Sequence, residues 1–126
     1  MQLYTAKASP FGRKVWIAML HHGLGERVAR IDSSLGNPED PMYLLNPLGK
    51  MPVLVTDEGL ALHDSPVIVE FLDGLTGGTL LPANPADRLM ELQMQSLADG
   101  IMDAGALIVG EAVSYTHLTL PTNREV

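Results

Sequence analysis

Two hydrophobic periods alternate along the chain. Residues 2–5, containing Leu3-Tyr4-Thr5, are predicted as a short strand, and residues 10–22 as a helix with Phe11, Val15, Ala18 and Met19 on one face. Ser9-Pro10 supplies the start signal, a capping hydroxyl followed by a proline at the first helical position. His21 and His22 fall in the last turn and Gly23 stops it. These histidines are expected to complement the helix dipole or to be exposed. Residues 27–31, Arg27-Val28-Ala29-Arg30-Ile31, alternate polar and apolar and read as a second strand, so the first third is a βαβ unit with parallel strands. A turn-rich piece from Asp32 to Asp40 follows, then a short, irregular helix candidate around Pro41 to Leu45.

In Asn46-Pro47-Leu48-Gly49-Lys50-Met51-Pro52-Val53-Leu54-Val55 the first half is a loop and the second opens a strand, with Pro52 at its first position. Asp57-Glu58-Gly59 predicts a hairpin turn, and Leu60-Ala61-Leu62 the antiparallel return. Ser65-Pro66 repeats the opening device, with Ser65 as cap and Ile68, Phe71, Leu72 and Leu75 as the buried stripe. Gly74 to Pro82 is linker-like. Asn84-Pro85-Ala86-Asp87 starts a further helix, whose Met90, Met94, Leu97, Ile101, Ala104 and Ile108 form a sustained apolar stripe. The expected fold class is α/β, a four-stranded mixed sheet followed by one long helix. The stripe asks for partner helices that so small a sheet cannot supply; left uncovered, it would promote association.

Composition narrows the function classes. Among 126 residues there is no cysteine, which excludes disulfides, cysteine-ligated zinc and a redox thiol carried by the protein. The formal net charge is −7, and the 8 Lys and Arg form no basic run, against a nucleic-acid surface. The missing cysteines also fit a cytoplasmic setting; no apolar run is long enough to span a membrane, and no signal pattern opens the chain. No metal site is expected: His21 and His22, being adjacent, cannot act as paired ligands on one helix face.

The candidate chemistry sits at helix mouths. A helix N-terminus offers unpaired N–H groups and a positive dipole end, so an anion or thiolate beside Ser9 would be stabilised. Ser9 is equally readable as a plain cap. Pro52 is compatible with either peptide isomer, and the backbone of Met51 beside it could pair with an extended, peptide-like ligand as an added strand. Asp64 places a charge at the second helix mouth, with a plain capped helix as the alternative; His63 is expected to pack in the loop.

Three segments, in this order and separation, carry a resemblance. They are Ser9-Pro10-Phe11-Gly12-Arg13-Lys14-Val15, Asn46-Pro47-Leu48-Gly49-Lys50-Met51-Pro52-Val53-Leu54 and Asp64-Ser65-Pro66-Val67-Ile68-Val69-Glu70-Phe71-Leu72. With Leu97-Ala98-Asp99-Gly100-Ile101-Met102-Asp103-Ala104, the chain from Met1 to about Ala112 resembles the N-terminal half of a bacterial cytosolic glutathione transferase. The resemblance implies a thioredoxin-like glutathione-binding domain over 1–76, a linker over 77–84, and the start of an all-helical second domain over 85–112 of a homodimer. It implies that Ser9 faces the glutathione sulfur and that Met51 offers its backbone to the cysteinyl unit, with Pro52 cis. Asp64 and Ser65 would hold the γ-glutamyl end, with Lys50 and Phe11 as further contacts. The partners implied are glutathione, as co-substrate, and a small electrophile. Ser9 stands where thiol-type members carry cysteine, which favours conjugation or isomerisation over disulfide chemistry. Glutathione-dependent isomerisation or dehalogenation, and a non-catalytic glutathione-binding or regulatory protein, are the alternatives; a glutaredoxin-like role is disfavoured by the missing cysteine.

Residues 113–126, including Val113-Ser114-Tyr115-Thr116-His117-Leu118, depart from the resemblance and break the helical period. They resemble the translation of a transposase-type sequencing adapter, so a truncated frame with a non-native tail is expected, the alternative being a natural polar tail. On this reading most of the helical domain, with the electrophile's pocket, is missing.

Overall fold

A computed structural model describes the backbone of residues 1–123 and the side chains of residues 1–113. Its elements are β1 (Gln2–Thr5), α1 (Pro10–His21), β2 (Ala29–Asp32), α2 (Met42–Leu45), β3 (Val53–Val55), β4 (Ala61–Leu62), α3 (Ser65–Leu75) and α4 (Pro85–Asn123). The four strands form one sheet in the order β2-β1-β3-β4. β1 runs parallel to β2, with Leu3 opposite Arg30 and Thr5 opposite Asp32. It is antiparallel to β3, with Leu3 opposite Leu54 and Tyr4 opposite Val53. β4 closes the hairpin on Leu54 and Val55 only. This is the thioredoxin-like βαβ–ββα arrangement.

The chain divides into two compact units, Met1–Leu92 and Gln93–Val126. In the first, alternation along the strands sends Leu3 and Leu54 to one face, where α1 and α3 pack. Val15, Ala18 and Met19 from α1 meet Ile68, Val69 and Leu72 from α3 in that core. Leu24 and Val28 join it from the segment before β2. That explains why β2 starts at Ala29 rather than Arg27: the chain is still turning over the core, and pairing begins where Ala29 N–H reaches the Met1 carbonyl. The α3 stripe is rotated from the expected one, with Val69 buried and Leu75 exposed.

Gly12 fixes how closely α1 crosses β1. A Cβ built there would lie 1.9 Å from Thr5 Oγ1. Gly12→Ala improves helix propensity by about 1 kcal/mol, but the overlap outweighs that gain. A net loss of about 2 kcal/mol is expected, or roughly 10 °C in melting temperature for a domain of this size. Thermal denaturation of Gly12→Ala, with and without Thr5→Ala, checks it; recovery in the double variant is expected, because the second change removes the obstructing hydroxyl.

At the far end of α1, Gly23 takes φ 67° and Leu24 N–H closes back onto the Met19 carbonyl at 2.9 Å, a Schellman stop. His22 departs from the expectation of an exposed or dipole-facing residue. Its side chain is 2 % exposed, with Nε2 3.2 Å from Asp73 Oδ1 and Nδ1 2.7 Å from Thr76 Oγ1. It is buried because α3 ends beside it. His21 stays exposed, 3.2 Å from Thr79 Oγ1.

The long helix also differs from expectation. The period break after Ala112 does not interrupt it, since α4 continues to Asn123. Period governs which face is apolar, not whether the backbone stays helical. The reading of 113–126 as a non-native tail otherwise lies outside the described residues. Met90, Met94, Leu97, Ile101 and Ile108 are all exposed. No helix among the described residues is long and apolar enough to cross a membrane.

Candidate functional site

The β-topology decides which loops meet. β1 ends at Thr5, and Tyr4 pairs with Val53, the first residue of β3. β4 runs antiparallel to β3, so its exit at Leu62 returns to the same end of the sheet. The β1–α1 turn with Ser9, the Met51-Pro52 corner and the Asp64-Ser65 start of α3 therefore share one end. Both helix N-termini face it.

At the first mouth, Ser9 is the N-cap of α1 in extended backbone, φ −72° and ψ 116°, with Pro10 following as expected. Ser9 Oγ accepts the Gly12 N–H at 3.0 Å, and Ser9 N–H donates to the Ala6 carbonyl. A hydroxyl has one hydrogen and two acceptor sites. The cap uses an acceptor site, so the Ser9 hydrogen is available to donate. Phe11 stands on the same first turn, half-buried.

The second corner is built by Asn46, whose role the sequence reading missed. Asn46 is buried; its Nδ2 donates to the Lys50 carbonyl at 2.9 Å. Its Oδ1 accepts Leu48 N–H at 3.0 Å, and its carbonyl accepts Gly49 N–H at 2.9 Å. Gly49 has φ 63°, and the Tyr43 ring lies 3.0 Å from where its Cβ would be. This closed ring delivers Lys50, which is exposed, then Met51 and the buried Pro52. The Met51–Pro52 peptide is cis. Because β4 reaches only Leu54, Met51 and Pro52 have no strand neighbour on the β4 side. An extended ligand fits that edge.

The third corner corrects the sequence reading. Ser65 is not the cap of α3 but its first residue; Asp64 is the N-cap, in extended backbone, and its side chain makes no capping bond. The Ser65 side chain is instead engaged in a long-range contact. Ser65 Oγ, in a residue only 1 % exposed, accepts from Lys14 Nζ at 3.2 Å, so its side chain is committed toward α1. Asp64 is exposed, and the His63–Asp64 peptide is also cis.

On the β2 side of α1 lies a separate hollow of about 430 Å³, with Lys7, Arg13, Trp16 and Arg30 in its walls. The Arg30 guanidinium carbon lies 5.4 Å from the Trp16 ring centroid. None of the expected glutathione residues lines it. Among the described residues, no three His, Asp or Glu side chains gather as a metal site.

Residues 8–75, more than half of the chain and spanning all three corners, match the family Glutathione S-transferase, N-terminal domain. The chain belongs to the glutathione S-transferase family. It is 39 % identical over 112 residues to the uncharacterised GST-like protein YibF of Escherichia coli strain K12, covering 88 % of this chain and 54 % of that one. A glutathione S-transferase structure from Methylobacillus flagellatus KT with glutathione bound superposes with a TM-score of 0.81 at 36 % identity, over 88 % of this chain and 55 % of that one. A glutathione transferase family member from Pseudomonas fluorescens Pf-5, also with bound glutathione, gives 0.77 at 40 % identity, over 85 % and 54 %. The chain thus spans about half the length of the relatives it matches.

Proposed function

We propose that the chain binds glutathione across the three corners and activates its sulfur for attack on an electrophilic small molecule. The observation that carries this is the cap bond that Ser9 Oγ accepts. Gly12 N–H occupies an acceptor site of Oγ at the mouth of α1, which leaves the hydroxyl hydrogen to be given to a thiolate. A thiol with a pKa near 8.5 is only a few per cent ionised at neutral pH, and the thiolate is the nucleophile. The α1 dipole contributes up to about 2 kcal/mol, roughly 1.5 pKa units. The Ser9 hydrogen bond favours the charged form further. Ser9 is thus a donor, neither nucleophile nor base. The sulfur lone pair forms the new S–C bond, and the electrophile's leaving group departs with its electron pair. Met51 pairs its backbone with the cysteinyl unit as an added strand, with the cis Pro52 beside it, and Asp64 and Ser65 take the γ-glutamyl end. Lys50 and Phe11 flank the peptide. Bound glutathione in the Methylobacillus and Pseudomonas relatives supports the ligand class.

Isothermal titration of glutathione and of S-methylglutathione into the 126-residue chain tests the reading. Saturable one-to-one binding of both is expected. Absence of binding overturns it. Binding without conjugation of a generic aryl halide would leave a glutathione-binding protein and remove the enzymatic half.

A further inference from the structure

We infer that Lys14 is a positioning residue that turns the Ser65 hydroxyl into an outward donor for a ligand carboxylate. The inference rests on the reading above, in which Ser65 meets the γ-glutamyl end of glutathione. Lys14 Nζ donates to Ser65 Oγ at 3.2 Å, across 51 residues of sequence. An ammonium has donors only, so the hydroxyl hydrogen cannot point back at Lys14. Ser65 is the first residue of α3; Pro66 beside it has no N–H, and the Ser65 and Val67 N–H groups, which precede the first intrahelical bond, are donors only. Neither Lys14 nor these N–H groups can accept, so the one hydroxyl hydrogen of Ser65 finds no acceptor among them. A carboxylate arriving at this mouth supplies that acceptor. The same group meets the positive end of the α3 dipole and the nearby Lys14 charge. Asp64, the exposed N-cap of the same helix, is left to meet the ligand's ammonium. The site thus discriminates by the terminal carboxylate rather than by the peptide links. Lys14 can hold this post because Val15, next to it, is fully buried and anchors α1 against the α3 core.

The test compares two ligands and a short series of variants by calorimetry. The ligands are glutathione and 4-aminobutanoyl-cysteinyl-glycine, which lacks only the γ-glutamyl α-carboxylate. Lys14→Met is expected to weaken glutathione binding roughly tenfold, the scale of a hydrogen bond involving a charged group, and to leave the analogue's affinity unchanged. Lys14→Arg is expected to recover most of the loss. In a Ser65→Ala background, Lys14→Met should have little further effect. Lys14→Gln gives the same comparison with a smaller change in packing. Equal weakening of both ligands would reduce Lys14 to a packing role and overturn the inference. Full additivity of the two substitutions would do so as well, by showing that Lys14 acts on the ligand without Ser65. Failure of the unaltered chain to bind glutathione removes the underlying reading, a result separate from these.

Discussion

Ser9→Ala is expected to keep glutathione bound and to lower turnover roughly 10- to 150-fold, the equivalent of one hydrogen bond to a charged atom at about 1.5–3 kcal/mol. The serine contributes in two places, and the substitution separates them. As cap, its Oγ holds Gly12 N–H at 3.0 Å, and losing that costs about 1 kcal/mol of stability. As donor, its hydrogen stabilises the thiolate; without it the bound thiol's pKa rises. The ascending limb of the pH–rate profile should therefore move to higher pH in Ser9→Ala and return in Ser9→Thr. Steady-state rates across pH, with thiolate absorbance of the binary complex, read both effects. An unaltered limb would place activation on another group.

The second large effect is structural. Asp73→Ala is expected to cost about 3–4 kcal/mol, because it orphans several donors at once. Asp73 is 3 % exposed. Its Oδ1 accepts Thr79 and Leu80 N–H, both at 2.8 Å, and its Oδ2 accepts Leu81 N–H at 3.1 Å. Thr79 is exposed and can rehydrate; Leu81 is buried and cannot. His22 loses its partner as well. Burial pushes the Asp73 carboxyl up, but the Leu80, Leu81 and Thr79 N–H groups and His22 together hold it below the usual carboxylate range. The sign follows from that depression. The carboxylate's contribution is fully present above the unfolded pKa of about 3.9 and is lost as pH falls through the lower folded value. Urea midpoints at neutral and strongly acidic pH measure this. The gap between the unaltered chain and Asp73→Asn should be widest near neutrality and close on acidification; a gap independent of pH would assign the loss to packing.

What could be read from the residues, and what could not, divides by sequence distance. Ser9-Pro10 and Gly23 mark α1 correctly because caps and stops act through neighbouring backbone groups. The hairpin around Asp57-Glu58-Gly59 is likewise a local signal, and the parallel β1–β2 pair follows from the strand–helix–strand order rather than from proximity in sequence. Ser65-Pro66 is the same dipeptide as Ser9-Pro10, yet it enters its helix one residue deeper. Nothing near it in sequence announces the long-range contact that its side chain makes instead, with Lys14. The burial of His22 against Asp73 has the same origin, whereas Asp73 and Asn46 close nearby loops through bonds that no residue pattern announces. Each polar side chain would pass for a surface residue until the fold places donors around it. The long apolar stripe of α4 was legible as a stripe; its exposure depends on what else is present.

The contact between Gly12 and Thr5 also restricts how this sequence can drift. Thr5 Oγ1 occupies most of the volume that a Cβ at position 12 would need, with Thr5 Cβ and Ser9 Cβ close behind it, so the helix and strand sites are not free to vary separately. A lineage that enlarges the helix residue must first shrink the strand residue; taken in the opposite order, the path runs through an intermediate that folds poorly. Geometry thus imposes a direction on mutational history, with the smaller side chain arriving first.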